Sequence, residues 1–385
     1  MAHDESLLAP GPVNLHPEVR RILALPMIHH RAPAFDRIFL RALEGLKAIF
    51  GTRQRVYIQA TVGSGGMESL LVNTLSPGDK VIAINTGKFG ERWSEMAKTF
   101  GMTVVEIQVP WGQSVRPEEV RSALAAHPET RAVLCQACET STAVQNPIQE
   151  IGALVKEHPQ TLFLVDGITA VGAYAVPMDE WGIDGLVAGS QKAFMLPAGL
   201  AFVSFSKKAE PWIDSARCPR YYLDIRRERK ANEKGESAFS SAVPLVRALD
   251  WVLQDLQIKT LPRHYHEIDR LARMTREFAR QAGLALYSKS ACPSVTALCM
   301  PEGLDGQEVR QRLEADYKIT VIGGQDQAKG KIIRIGHMGY IQDEEMMRLF
   351  EAIGRILQNM KPTDWTDAKV ATLTASMRSW AGANK

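Results

Sequence analysis

The stretch VAGSQKAFMLPAGLAFVSFS, residues 187–206, joins two apolar, strand-like runs through a loop that carries Lys192. Gly189, Ser190, Ala193, Phe194, Met195 and Leu196 surround this lysine in sequence. Lysines favour solvated faces, so one embedded among small and apolar residues asks for a use of its amine. Working back from it, VYIQA, KVIAI, TVVEIQV, RAVLCQA, TLFLVD and GLVAG repeat the short apolar pattern, and AFVSF follows it. MESLLVNTL, GERWSEMAKTF, RPEEVRSALAAH and IQEIGALVKEH lie between them with helical periodicity. That alternation predicts an α/β fold with a mostly parallel sheet and helices on both faces. Ligands of such sheets sit beyond the carboxyl ends of the strands. The loops after VYIQA, RAVLCQA, TLFLVD and GLVAG are therefore expected to converge on one site.

Beyond about residue 250 the pattern changes. A long amphipathic stretch from Trp251 to Gly283 has one proline interruption, and strand-like VTALCM, the helix EVRQRLEADY, strand-like ITVI and KIIRIG, and the helix DEEMMRLFEAIGRIL follow. This predicts a smaller α+β domain. The expected division is an N-terminal arm over 1–20, a large α/β domain over 21–258 and a small domain over 259–385, whose tail after 361 forms one more helix.

Composition narrows the class. The 385 residues are 45% hydrophobic and 23% charged, with a net charge of +3, which is ordinary globular composition. No basic block interleaved with aromatics points to nucleic acid, and no apolar run approaches a membrane span. The start, MAHDESLLAPGP, has acids at Asp4 and Glu5 and no signal-like apolar segment, so a cytoplasmic protein is expected. Five cysteines without framework spacing fit a reducing compartment. Cys135 and Cys138 form a CxxC, but no second pair or nearby histidine completes a zinc set, and no metal is expected.

Three features carry chemistry. TVGSGGMESLL (61–71) sets Gly63, Ser64, Gly65 and Gly66 between a strand and a helix, where outward N–H groups and the helix dipole favour an anion. A dinucleotide GxGxxG would need glycine at Glu68, and no Walker lysine is present. A plain glycine turn is the rival reading. TLFLVD ends in Asp166, a strand-end carboxylate that must meet a cation or donor if buried; an ordinary capping aspartate is its rival. Lys192, if desolvated, has a depressed pKa and attacks carbonyls, whereas alone it reads as a strand-end surface lysine. Together, a phosphate cradle, a carboxylate for a ring nitrogen and a lysine for a Schiff base are what pyridoxal 5′-phosphate requires.

At this point the chain resembles the class V aminotransferases, in their alanine–glyoxylate/serine–pyruvate branch. The resemblance runs through APGPVNLHPEV, PMIHHRAPAF, TVGSGGMESLLVNTLSPGDKVIAINTGKFGERW, CETSTAVQNPI, VDGITAVGA, GSQKAFMLPAGLAFVS and KIIRIGHMG, in that order. It implies a fold-type I homodimer with each site at the subunit interface. It also implies that Lys192 forms the Schiff base and Asp166 pairs with the ring nitrogen. Val62, Gly63 and Ser64 would hold the phosphate, helped by Gln191; Phe89 would stack on the ring and Thr140 contact the cofactor. Arg334 would grip the substrate carboxylate, with Gly11 also at the substrate, and Ser240 would reach the neighbouring subunit's phosphate. Ala143 stands where the family often has glycine, and Ser237 is too short for the long donor usual at its position.

The activity this implies moves the amino group of alanine or serine to glyoxylate or pyruvate. Three rivals are a 2-aminoethylphosphonate aminotransferase, suggested by His29, His30 and Arg31; a cysteine desulfurase, whose sulfur acceptor could only be Cys292 or Cys299; and a non-catalytic binder of the cofactor.

Overall fold

The computed structural model describes residues 5–384. The first four residues of the expected arm, and Lys385, lie outside the described residues. All seven expected strands form one sheet, in the spatial order Val56–Gln59, Ala201–Phe205, Gly185–Gly189, Leu162–Asp166, Ala132–Gln136, Lys80–Asn85, Thr103–Gln108. Ala201–Phe205 is antiparallel to both of its neighbours, and the other pairings are parallel. The inner strands are buried on both faces, which is why they read as continuous apolar runs rather than alternating ones. Thr103–Gln108 forms one edge and is only half-buried. Its Glu106 pairs with Lys98, and such a charged edge resists pairing with a further strand.

Glycine sets how closely one helix lies on this sheet. Gly63–Thr74 begins at the first glycine of the GSGG run, earlier than the apolar pattern suggests, so those glycines are its first turn and not a preceding loop. A Cβ on Gly66 would fall 2.5 Å from Val187 Cγ2 and 3.0 Å from the Ala201 Cβ. The turn therefore presses onto the strand ends that precede and follow Lys192.

A second hydrophobic core lies apart from the sheet. It gathers Leu8, Phe278, Leu313, Ile333, Phe350 and Ile353, with Phe278 and Phe350 stacked at 4.4 Å. The tail helix Asp367–Ala383 packs here through Val370, Leu373 and Met377. The long helical stretch is two helices, Val243–Lys259 and Leu261–Ala282, broken at Thr260 with φ +67°. Pro262 lies in the first turn of the second helix, where its missing N–H costs no hydrogen bond. ITVI divides as well: Ile319–Thr320 pairs in parallel with Ser6–Leu7, while Ile322–Gly323 joins the antiparallel sheet of Val295–Cys299 and Ile332–Gly336. The start of the chain thus runs beside Ile332–Gly336, with the Gly336 N–H donating to Leu8 O. Among the described residues no helix is long and apolar enough to cross a membrane.

Candidate active site

Strand ends place the site. Val56–Gln59 leads into Val62, Gly63 and Ser64; Ala132–Gln136 leads towards Thr140; Leu162–Asp166 ends at Asp166; Gly185–Gly189 leads into Gln191 and Lys192. These residues line one crevice together with Phe89, Arg92, Ile168 and Thr169. The convergence follows from the parallel strand order, since neighbouring strands discharge their loops on the same edge.

Lys192 Nζ donates to Pro10 O at 2.8 Å. Burial pushes its pKa down to about 8; the Cys138 thiol and Asp166 oppose that, and the charges of Arg334 and Arg92 add to it. Gly11 has φ +122°, and a Cβ there would fall 2.4 Å from Lys192 Nζ. The structure thus sets Gly11 against the lysine, where only glycine fits. Asp166 is buried, and its Oδ1 accepts the Ile168 N–H at 2.8 Å. Burial pushes its pKa up to about 6, against the pull of that hydrogen bond and of Arg92 and Lys192.

The helix that opens the crevice at Gly63 has Val62 at its N-cap and no side chain capping it. A Cβ on Gly63 would meet Ile168 Cδ1 at 2.6 Å, and one on Gly65 would meet Thr61 Oγ1 at 2.1 Å. Gln191 Oε1 is buried with no hydrogen-bond partner. An open helix start, a buried strand-end carboxylate and a near-neutral lysine in one crevice fit a phosphorylated pyridine aldehyde.

Arg334, on Ile332–Gly336, is buried without a carboxylate. Its Nε and Nη2 donate to Gly323 O at 3.1 and 2.9 Å, and its Nη1 to Thr140 O at 3.0 Å. A guanidinium has five N–H donors, so one on each terminal nitrogen stays free for a planar anion. Burial pushes its pKa down to about 10, against the pull of Glu139.

The aminotransferase class-V family model matches residues 17–349. The chain belongs to the class V aminotransferases. It is 36% identical over 364 residues to a Synechococcus protein named soluble hydrogenase, small subunit, with 94% of each chain covered. It is also 36% identical over 352 residues to the L-aspartate–glyoxylate aminotransferase of Paracoccus denitrificans, covering 89% of this chain and 88% of that one. Among solved structures it is similar to an aspartate aminotransferase of subgroup IV from Thermus thermophilus, with a TM-score of 0.86, 32% identity, and coverage of 92% and 100%. The fold is that of the fold-type I pyridoxal-phosphate enzymes, and the chain is a pyridoxal-phosphate-dependent transaminase acting on amino and keto acids.

Within this class V aminotransferase, Ser240 does not join the crevice. It is exposed and lines a separate small cavity with Tyr222, Glu228 and Ser237, whose hydroxyl donates to Phe239 O. Two crevice residues, Thr169 and Arg92, and the buried Glu139 behind the wall escaped the sequence reading. Thr169 accepts from the Thr140 hydroxyl at 2.9 Å. Glu139 is buried, and its Oε2 accepts the Phe89 and Gly90 N–H groups at 3.0 Å each. Ser141 donates to Oε1 through its amide and hydroxyl, and Gln136 donates to Oε2. Burial pushes the Glu139 pKa up and these donors hold it back. Arg92 donates from Nη1 to Ser64 Oγ at 2.9 Å, and its guanidinium carbon stands 4.8 Å from the Phe89 ring centre. Its signal was legible: Arg92 follows Phe89 by three residues, on the same helix face.

Proposed function

We propose that the enzyme transfers the amino group of a small L-amino acid, alanine or serine, to a small 2-oxo acid, glyoxylate or pyruvate. Lys192 holds the cofactor covalently in the resting enzyme. Bound pyridoxal phosphate supplies a carbonyl that receives the amino group and an electron sink for the carbon losing its proton. Val62, Gly63, Ser64 and Gln191 hold the phosphate, Phe89 lies against the ring, and Thr140 contacts it. Asp166 would pair with the cofactor's ring nitrogen and, ionised there, would keep that nitrogen protonated. Arg334 binds the α-carboxylate through its free terminal donors, which aims the Cα–H bond at Lys192 Nζ. Released by the incoming amine, Nζ takes the proton from the donor's Cα, and its lowered pKa makes it a base near neutrality. The protonated Nζ would then be the acid that gives the proton back. Gly11 leaves the space that this amine needs.

The observation that carries this reading is the meeting of half-buried Lys192 and buried Asp166 in one crevice with an uncapped helix start. Glyoxylate as acceptor is supported by the Paracoccus relative. The donor is argued from charge. Arg334 stands in the small-domain sheet with a free donor on each terminal nitrogen, while Arg92 is tied to Ser64 and Phe89 at the proposed phosphate end, so a second carboxylate on the substrate has no cation of its own there. That favours alanine and serine over aspartate, although two of the similar proteins are named for aspartate. Arg31 pairs with Glu236 instead of lining the crevice, which leaves a phosphonate without its cation. Cys292 is fully buried and Cys299 lies in a strand, so neither offers the mobile thiol of a desulfurase.

Two further features complete the proposal. The working unit is a homodimer in which Ser240 reaches the partner's phosphate site, supported by exposed Met27, Leu40, Tyr221 and Tyr222. The setting is cytoplasmic, supported by five free thiols. The test is an absorbance spectrum of the loaded enzyme with L-alanine, L-serine or L-aspartate, followed by glyoxylate. Bleaching of the visible band by alanine or serine, and its return with glyoxylate, is expected. Bleaching by aspartate alone would overturn the donor assignment.

A further inference from the structure

Arg92 has no role in the reading above, yet it touches two of the features that reading uses. It stands on the helix Lys88–Thr99, half-buried at the crevice wall. One terminal nitrogen holds the Ser64 hydroxyl, at the open helix start, and the guanidinium lies against the ring of Phe89, whose amide Glu139 accepts. Backbone and ring of Phe89 are thus held by different groups: Glu139 fixes the amide and Arg92 the side chain. A guanidinium suits this, because its rim donates hydrogen bonds while its plane packs on an aromatic ring.

We propose that Arg92 is a positioning residue that locks the Phe89 ring to the Ser64 hydroxyl and brings a permanent positive charge to the phosphate end of the crevice. The proposal rests on Lys192 holding the cofactor. Two consequences follow. The first is retention: without Arg92, the ring platform and the cradle hydroxyl lose their common tie, and the phosphate loses a nearby cation. The second is electrostatic. The groups acting on Lys192 are the Cys138 thiol, Asp166, Arg334 and Arg92. Arg92 is the cation of the phosphate side and Arg334 that of the substrate side. Removing the Arg92 charge makes a cationic nitrogen at Lys192 easier to keep, so its deprotonation moves to higher pH.

The test compares wild type, Arg92→Met and Arg92→Lys, each loaded with pyridoxal phosphate, in two readouts. One is cofactor dissociation, followed by dialysis and by protein fluorescence; the other is the pH midpoint of the visible band. Arg92→Met is expected to bind the cofactor about tenfold to a hundredfold more weakly, the range for losing a charged hydrogen bond, with its midpoint shifted upward. Arg92→Lys keeps the charge and loses the fork. It is expected to keep the wild-type midpoint while binding the cofactor severalfold more weakly. Wild-type retention and midpoint in Arg92→Met would overturn the proposal. If Arg92→Met does not fold, wild-type retention in Arg92→Lys overturns it. A visible band that survives in Lys192→Ala would instead sink the underlying reading.

Discussion

Two helices start at the rim of one crevice, and their first turns are treated in opposite ways. At Lys88–Thr99 the buried Glu139 carboxylate accepts the Phe89 and Gly90 amides, so the protein supplies its own anion. At Gly63–Thr74 the N-cap is Val62, an exposed residue whose side chain has nothing to accept an amide. Both starts carry the partial positive charge of a helix dipole. The first is closed and serves as scaffold, fixing where Phe89 stands. The second is open and keeps its donors for a ligand. In the reading proposed above, the helix end that binds the phosphate is the one left uncapped.

The comparison can be broken by substitution, beginning with the lysine that lines the same crevice. Lys192→Ala should abolish the visible cofactor band and slow the amino-acid half-reaction by about 10²–10⁴-fold or more, the span of general acid–base catalysis; single-turnover absorbance checks this. Glu139→Ala should open the closed start. Leaving buried amides without an acceptor costs on the order of 3 kcal/mol, read as a fall in cofactor-free stability by denaturant unfolding. Val62→Asp should close the open start. An N-cap aspartate adds about 1 kcal/mol of stability to the cofactor-free protein while repelling the phosphate, weakening cofactor binding by at least about tenfold. Opposite signs for stability and binding at that one position would be hard to obtain if the open start held no anion.

A pH experiment sharpens the same point at Asp166. Its pKa is raised from 3.8 to about 6 in the cofactor-free protein, chiefly by burial. A raised carboxyl pKa means that folding takes up a proton, so the associated stability is present below about pH 4 and is lost as pH rises through about 6. The difference between Asp166→Asn and wild type should therefore grow by roughly 3 kcal/mol over that window. Bound cofactor should suppress this growth, because a cationic ring nitrogen holds Asp166 ionised. Smallest is Ala143→Gly. Ala143 sits at φ +59°, in the turn that follows Glu139. Glycine there should raise stability by up to about 1 kcal/mol by relieving the left-handed strain.

The parts of this architecture that repeat a local pattern were legible in the sequence. The inner strands announce themselves as apolar runs because burial on both faces leaves little room for polar residues. Gly63, Asp166 and Lys192 stand out because each conflicts with its neighbours. What stayed hidden depends on contacts between distant segments. That Ala201–Phe205 runs antiparallel is set by how the 190–200 loop turns back, and its strand looks like the others in sequence. ITVI reads as one strand, yet Ile319 pairs with the chain's start and Ile322 with Ile332–Gly336. Glu139 reads as an ordinary loop acid until the fold brings the Phe89 and Gly90 amides to it. Ser240 lies outside its own chain's crevice, so no single-chain geometry reports on it.

The central claim is that the cofactor is carried by Lys192 beside an open helix start. The most direct measurement is borohydride reduction of the loaded enzyme, proteolysis and mass spectrometry of the labelled peptide. The result expected is a single reduced pyridoxyl adduct on Lys192, absent from Lys192→Ala. An adduct on another lysine, or none from a protein whose visible band shows it to be loaded, would contradict the account.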